Sequence, residues 1–198
     1  ASFTAAPGRA YAVAYGPDVR PTAFTDPLAS SDRAGALFVA DSALKASFTR
    51  SGSAGLGGLW IDPAGRGRFD HSTRRLAAET ATLYMTGKKG ERFAAGAPDE
   101  LTFELSGPAR TTGCARGHFV HGQDRLFEYV ARWTVYAGHP GVDLELTVGN
   151  DRPDTARKMY DANKTITRVG NLYLELRPGD GVPRRITYGL DGALETSD

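Results

Sequence analysis

Residues 126–148 read LFEYVARWTVYAGHPGVDLELTV, and this stretch decides the fold class. Its first part, 126–136, is rich in aromatic and β-branched side chains, which favour strands. Residues 142–148 alternate between apolar and polar, and AGHPG at 137–141 has the composition of a turn. The stretch therefore predicts an antiparallel hairpin. Because side chains alternate along a strand, one face of its first strand would carry Phe127, Tyr129, Ala131, Trp133 and Val135.

Alternating or short apolar segments of the same kind recur on both sides of this hairpin. They comprise residues 35–39, 44–50, 59–61, 101–105, 172–177 and 186–189. Turn sequences separate them, for example Asp62-Pro63-Ala64-Gly65, which places proline at the second position of a turn. We therefore predict an all-β fold, an antiparallel β-sandwich of about 8–12 short strands with at most one or two short helices.

The composition excludes several classes of protein. The 198 residues include 40% hydrophobic and 24% charged side chains, which favours a folded chain over a disordered one. A formal charge of +1 gives no general electrostatic attraction to nucleic acid, so no nucleic-acid partner is expected. No apolar run approaches the ~20 residues of a membrane span. The single cysteine, Cys114, excludes an intramolecular disulfide, and we expect it to be a small buried strand residue.

Two regions are expected within the chain. Residues 1–35 combine a candidate strand at 11–15 with several breaks, so we predict an irregular N-terminal segment with short strands. Residues 36–198 are predicted to form the β-sandwich domain, with one candidate short helix at 153–160. The chain begins Ala1-Ser2-Phe3 without methionine, which is typical of a mature form left after signal removal or of a fragment. We expect an extracellular or cell-surface location.

The usual catalytic motifs do not occur in the sequence. It has no phosphate-binding loop and no nucleophile elbow. His118 and His121 are three residues apart, which on a strand places the imidazoles on opposite faces and does not suit a shared metal. Asp143 and Glu145 share one strand face, which we interpret as a solvated face. No catalytic residue, metal ligand or cofactor is therefore assigned.

A cluster of basic and aromatic residues is the strongest candidate for ligand binding. If residues 109–120 and 126–136 pair as neighbouring strands, several of its members share one face of a sheet. Aromatic faces stack on sugar rings and the guanidinium fork of Arg binds carboxylates, so such a surface suits an acidic polysaccharide. Trp133 is expected in the core, whereas Trp60, near Gly58 and Asp62, is the better stacking residue. The predicted carbohydrate-binding residues are Trp60, Arg110, Arg116, His118, Arg132, Tyr136 and His139.

Part of the second half of the chain resembles a known family. The segments FELSGPAR at 103–110, Arg116-Gly117-His118, and YVARWTVYAGHPGVDLELTV at 129–148 resemble the β-sandwich domain of exo-acting rhamnogalacturonan lyase-like proteins. The resemblance covers about residues 40–177, and its specific part lies within 101–150. It implies a β-domain that such lyases combine with a large helical toroid. This sequence has no such toroid, so no catalytic residue is carried over, and the resemblance implies a detached, truncated or repurposed β-domain.

These observations lead to one expected function and two alternatives. We expect a non-catalytic β-sandwich module associated with carbohydrate, either a polysaccharide-lyase-like accessory domain or a glycan-binding domain, with acidic or pectic polysaccharide as its partner. The first alternative is a self-associating structural subunit of an extracellular fibre or coat, in which exposed edge strands and residues 1–35 pair between copies. The second is a polysaccharide lyase or glycosidase that uses His118, His121 or His139 with Arg132.

Overall fold

The structure is a computed structural model that describes residue 17 and residues 23–77, 81–87, 89–149, 170–176, 186–190 and 193–197. At residues 76–77, 176, 186–190 and 193–197 we describe the main chain alone. The described residues form fourteen strands and one short 3₁₀ turn, η1. The predicted fold class is confirmed, since the chain is a mostly β, sandwich-like protein built from antiparallel sheets.

The first sheet, called sheet A, is a meander of five antiparallel strands in chain order. In its third strand the alternate residues Leu44, Ala46 and Phe48 are buried, while Lys45 between them lies on the opposite face. The 3₁₀ turn η1 (Ser53–Gly55) precedes the fourth strand. The strands of sheet A are β1 (Ala29–Arg33), β2 (Ala36–Ala40), β3 (Leu44–Thr49), β4 (Leu56–Ile61) and β5 (Arg74–Ala77).

The second sheet, called sheet B, has seven antiparallel strands centred on two long ones. Its strands are β6 (Ala81–Thr86), β7 (Arg92–Ala95), β8 (Glu100–Ser106), β9 (Arg110–His121), β10 (Asp124–Tyr136), β11 (Val142–Gly149) and β12 (Leu172–Leu176). Their order is β11-β10-β9-β7-β6-β12, and β8 pairs with β9 beside β7. The hairpin predicted from 126–148 is confirmed as β10 and β11. Strands β13 (Ile186–Leu190) and β14 (Ala193–Ser197) form a separate hairpin.

The core lies between the two sheets. A Cβ atom at Gly113 of β9 would lie only 3.1 Å from Cδ2 of Phe48 in sheet A, so the ring packs directly on this glycine. Trp133 is buried as expected, and its Nε1 donates a hydrogen bond to the Ala54 carbonyl of η1 at 2.8 Å. Buried Cys114 also agrees with expectation. The largest fully buried side chains are Tyr129, Phe48, Phe119, Leu44, Met85, Val39, Val135 and Thr111.

A buried tyrosine links three segments of sheet B. Tyr129 of β10 lies opposite Gly117 of β9, and its hydroxyl donates a hydrogen bond to the Gly96 carbonyl at 2.7 Å. A Cβ at Gly117 would lie 2.6 Å from the Tyr129 Oη, so glycine is what allows the ring to cross β9. Burial raises the pKa of the Tyr129 phenol, which therefore stays protonated and keeps its donor.

A buried carboxylate joins the turns of the two sheets. Asp41, after β2, accepts hydrogen bonds from the main-chain N–H groups of Ala43 at 2.9 Å and Leu44 at 2.8 Å. Its second oxygen accepts the N–H of Gly138, in the β10–β11 turn, at 2.8 Å. Gly138 has φ of +71°, a conformation that favours glycine. The two turns are thereby fixed to each other at one end of the sandwich.

The structure differs from the sequence expectation in the number of strands. Fourteen strands exceed the predicted 8–12, because polar strands such as β1 are ordered by pairing with a neighbour and show no apolar pattern. Strand β1 lies within the predicted N-terminal segment 1–35 and pairs residue by residue with β2 of sheet A. The candidate strand at 11–15 and the candidate helix at 153–160 lie outside the described residues.

Candidate functional site

Most of the predicted binding residues lie on the outer face of sheet B. Strands β9 and β10 pair as the sequence analysis supposed, with Arg110 opposite Tyr136 and Cys114 opposite Arg132. The alternate residues of β10, including Trp133, face the core, so Arg132 and Tyr136 face outward. The predicted residues on this outer face are Arg110, Arg116, His118, Arg132 and Tyr136.

The structure separates Trp60 from this group, whereas His139 lies beside Tyr136, whose carbonyl accepts its main-chain N–H at 3.2 Å. Trp60 lies in β4 of sheet A, on the face turned away from the core. His139 is exposed in the turn between β10 and β11. The predicted residues therefore do not form one continuous surface. Nothing in the local sequence around Trp60 indicated to which sheet its strand would belong.

The strongest cation on sheet B is already paired within the chain. Arg132 Nε donates to Glu104 Oε2 at 2.7 Å, and its Nη2 donates to Glu104 Oε1 at 3.0 Å. Its Nη1 also lies 3.6 Å from Glu145 Oε1. The hydrogen bond from Arg132 lowers the pKa of the Glu104 carboxyl, and the same bond raises the pKa of Arg132. Because the guanidinium fork is used internally, it is poorly placed to bind a ligand carboxylate.

Other basic groups on sheet B also have carboxylate partners. Arg116 Nε lies 3.8 Å from Glu100 Oε2. His118 Nδ1 lies 3.0 Å from an oxygen of Asp99, and that same carboxylate accepts from Arg125 Nη2 at 3.1 Å. The outer face of sheet B therefore carries intermixed charges of both signs. The sequence analysis did not find Glu104 as the partner of Arg132, because Glu104 sits at a break in the β8–β9 register.

A second surface lies on the outer face of sheet A around Trp60. We call it the Trp60 surface and define it by Phe38, Lys45, Trp60 and Arg74, all half-buried. Trp60 is the register partner of Lys45 on β3 and of Arg74 on β5. Lys45 Nζ lies 4.9 Å from the Trp60 ring centroid and 5.9 Å from that of Phe38, and Arg74 Cζ lies 5.4 Å from the Trp60 centroid. These are cation–π distances.

A glycine holds the indole in place on this surface. Gly58 precedes Trp60 by two residues and so lies on the same face of β4. A Cβ at Gly58 would lie 2.6 Å from Cη2 and 2.8 Å from Cζ3 of the indole. The six-membered ring of Trp60 therefore extends back along the strand over Gly58. The sequence analysis noted the glycines beside Trp60, and the structure shows why one of them is needed.

The charge of the Trp60 surface differs from that of sheet B. Among the strand residues of sheet A, the single carboxylate is Asp32, which is opposite Leu37 and so points to the other face. Within the described part of the chain, neither Lys45 nor Arg74 lies within ion-pair distance of a carboxylate, and Arg74 Nε is buried without a hydrogen-bond partner. Among the described residues, these two cations therefore contact aromatic rings and keep their full positive charge.

A loop directly after β4 carries two further arginines, Arg66 and Arg68. Asp62 follows β4 directly, is buried, and accepts main-chain N–H groups from Ala64, Arg66 and Arg68 at 3.0 to 3.1 Å. These bonds, the one from Arg68 first, lower the pKa of the Asp62 carboxyl. The loop is thereby folded back onto Asp62, which lies two residues beyond Trp60. Its two arginines, Arg66 and Arg68, are exposed. The sequence analysis missed both arginines, although their spacing around Gly67 was visible.

The chain shows no similarity to a characterised protein in two comparisons. It matches no protein-family model, and a search of curated proteins finds no significant match. Within the described residues, no helix is both long and apolar enough to cross a membrane. The same part of the chain contains no group of three or more His, Cys, Asp or Glu side chains arranged to hold a metal ion.

Proposed function

We propose that this chain is a non-catalytic, extracellular β-sandwich module that binds an acidic polysaccharide through the Trp60 surface. The observation that carries the proposal is the position of Trp60 between Lys45 and Arg74 on a sheet face whose strand residues provide no carboxylate. Aromatic rings bind the apolar faces of sugars, and unpaired cations bind their carboxylates. Both requirements of an acidic sugar are therefore met within one surface.

The charge distribution favours sheet A over sheet B as the binding face. On sheet B, a ligand carboxylate would have to displace Glu104 from Arg132, which would leave a carboxylate without its partner. On sheet A, neither Lys45 nor Arg74 forms an ion pair with a carboxylate of the described residues. Arg66 and Arg68, in the loop after β4, add to the positive charge of this part of the chain. Trp60 is the one residue of the expected binding set that stays in the proposed site.

The sequence resemblance directs the choice of ligand. A likeness to the β-sandwich domain of exo-acting rhamnogalacturonan lyase-like proteins makes pectic polysaccharide the first ligand to test. A polygalacturonate chain carries a carboxylate on each sugar, so it presents regularly spaced anions along a chain of sugar rings. The Trp60 surface offers rings and cations in alternating strands, which suits such a ligand. It offers no carboxylate or imidazole for proton transfer, so binding without catalysis is the proposed role.

Tryptophan fluorescence tests the proposal directly. The chain has two tryptophans, and Trp133 is buried, so a change in emission on adding oligogalacturonides reports on Trp60. We expect saturable binding that weakens as salt rises, because screened charges contribute less. Trp60→Ala, followed by calorimetry, is expected to weaken binding by about tenfold or more, equivalent to about 1.4 kcal/mol. Gly58→Ala, which displaces the indole while leaving the tryptophan, should weaken binding in the same direction.

A matched control separates the two sheets. Arg116→Gln removes an exposed arginine from the outer face of sheet B and should leave the affinity unchanged, whereas Arg74→Gln should lower it. Thermal unfolding of each variant checks that the fold is intact. The proposal is wrong if no acidic oligosaccharide binds at low salt. It is also wrong if Arg116→Gln weakens binding as much as Arg74→Gln does.

A further inference from the structure

Strand β12 ends sheet B, and among the described residues nothing pairs with its outer edge or fully covers its apolar side chains. It pairs with β6, and among the described residues no strand pairs with its other edge. Leu172 and Leu174 are 45% and 40% exposed. Their register partners Met85 and Leu83 are buried, so both leucines lie on the core-facing side of the sheet. They are nevertheless exposed, because they lie at the edge of the core. Large apolar side chains exposed on an edge strand are typical of an interaction site.

The main chain of β12 presents hydrogen-bonding groups at this edge. The N–H of Thr86 donates to the Asn171 carbonyl at 2.8 Å, so residue 171 directs its main-chain groups toward β6. These directions alternate along an antiparallel strand. Residues 172, 174 and 176 therefore direct their N–H and C=O groups to the unpaired edge. At positions 172 and 174 the leucine side chains lie on the core-facing side.

The sequence of β12 is self-complementary about its centre. It reads LYLEL, with Leu174 in the middle. If two copies pair antiparallel on a two-fold axis at Leu174, residue 172 of each lies opposite residue 176 of the other. Tyr173 then lies opposite Glu175, and Leu174 lies opposite its own equivalent. Leucine thus meets leucine on one face. On the other face Tyr173 meets Glu175, whose carboxylate also accepts a hydrogen bond from Arg92 Nη2 of its own chain at 2.8 Å.

We propose that β12 is a self-association edge, at which a second copy of this chain adds its own β12 in antiparallel register centred on Leu174. The positions that direct main-chain groups outward, 172, 174 and 176, then exchange hydrogen bonds in pairs across the axis. The exposed leucines of both copies are covered in the same step. The sheet continues from one copy into the next, an isologous contact of the kind that closes a dimer.

The opposite edge of sheet B shows why β12 is the edge that pairs. Strand β11 reads VDLELTVG, and two-fold pairing centred on Glu145 would place this carboxylate opposite its own equivalent, whereas pairing centred on Leu146 would not. Like charges directly opposite each other destabilise a strand pair. The apolar residues of β11, among them Leu144 and Leu146, are half-buried and packed against the core. The packing of its apolar side chains against the core is therefore what distinguishes the β11 edge from the β12 edge, where Leu172 and Leu174 are exposed.

The size of the contact sets the expected strength. Pairing of one five-residue strand buries less than the ~1,000 Å² of a stable interface, so the dimer should be reversible and concentration-dependent. Sedimentation velocity of the full chain over a range of concentrations measures it. Leu174→Lys places two ammonium groups opposite each other and should weaken dimerisation about tenfold or more. Thr147→Lys, an exposed position on β11, is the matched control and should not change dimerisation.

Cross-linking tests the register. Two-fold pairing brings the Cα atoms of the two Leu174 positions to about 5.5 Å, whereas the two Leu172 positions are offset by about 13 Å along the strand. A short thiol-specific cross-linker should therefore couple Leu174→Cys into dimers far better than Leu172→Cys, although both leucines are similarly exposed. The native Cys114 is buried and serves as the unreactive background.

Three results would overturn the inference. The first is a wild-type chain that stays monomeric at concentrations of hundreds of micromolar. The second is a dimer that Leu174→Lys, shown to be folded by its thermal transition, does not weaken. The third is equal cross-linking of the Leu172→Cys and Leu174→Cys variants, which would place the partner in another register. None of these results depends on polysaccharide binding at Trp60, so the two proposals fail or stand separately.

Discussion

The contact between Tyr129 and Gly117 allows a prediction of stability in depth. Tyr129 is fully buried, and its hydroxyl donates to the Gly96 carbonyl at 2.7 Å. Gly117→Ala would place a methyl group 2.6 Å from that hydroxyl oxygen and 2.8 Å from Cζ. Neither can move freely, because the tyrosine ring packs edge-on against Phe119 with centroids 5.8 Å apart. We therefore expect the substitution to destabilise the fold.

The magnitude follows from two contributions. Forcing a methyl group into a packed core costs about 1–3 kcal/mol. Displacing the hydroxyl from the Gly96 carbonyl adds about 1 kcal/mol for the lost hydrogen bond. The free energy of unfolding should thus fall by about 2–4 kcal/mol, which for a chain of this length lowers the melting temperature by roughly 6–12 °C. Tyr129→Phe alone should cost only the smaller part, about 1 kcal/mol.

A double-mutant cycle measured by urea unfolding tests this reasoning. Because the closest contact is to the hydroxyl, Gly117→Ala should cost less in the Tyr129→Phe background than in the wild type. Gly149→Ala is the matched control, since a Cβ there meets nothing closer than 4.0 Å and the change should be nearly neutral. Strictly additive effects, or a Gly117→Ala variant as stable as Gly149→Ala, would refute the argument.

Three further predictions rest on single groups. Glu104→Gln should cost about 0.5–1 kcal/mol at neutral pH, because the pair with Arg132 is still about one third exposed to screening by solvent. Since the folded pKa of Glu104 is lowered, its contribution to stability is complete above its ordinary value of 4.5 and is lost as pH falls through the folded value. Urea unfolding at a series of acidic pH values should therefore show the difference between the variant and the wild type shrinking as pH falls below 4.5, and a difference that stays constant would contradict this. Burial is the main cause of the raised pKa of the Cys114 thiol, so a thiol reagent at neutral pH should react with it only after denaturant is added. Reaction in the native state would contradict this. Asp41→Asn should lower the free energy of unfolding by about 1–3 kcal/mol, because an amide cannot accept with both atoms and leaves one N–H, such as that of Gly138, without its acceptor; an unchanged thermal transition would disprove it.

The electrostatic contrast between the two outer faces is the main functional result. Both faces are polar, and both carry arginine. On sheet B, Arg116 and Arg132 lie beside carboxylates from strand β8, although Arg110 has no such partner among the described residues. On sheet A the cations lie beside aromatic rings, as Lys45 does beside Trp60. A count of basic residues along the sequence favoured the outer face of sheet B as the binding surface. The ion pairs that those residues form favour the outer face of sheet A instead.

The strands themselves were predictable because the signal for them is local. Alternation along β3, β10 and β11 predicted their extent to within about two residues, and the turn sequence at 137–141 predicted the hairpin. The burial of Trp133 was predictable because its neighbours on the same face of β10 are apolar. Strands β1 and β5 were not predicted, because polar or very short strands are ordered by their neighbours and not by their own side chains.

The sequence by itself therefore determined an all-β chain, its central hairpin and the inward and outward sides of its long strands. Only the tertiary structure decided which charged and aromatic groups meet. Register breaks decide which side chains lie opposite each other, because one extra residue in a strand shifts the pairing of every residue that follows it. The break after Leu59 places Trp60 opposite Arg74 and bypasses Arg75, and the break beside Glu104 brings that carboxylate to Arg132. These contacts join residues on strands that are distant in sequence, so no local pattern could contain them.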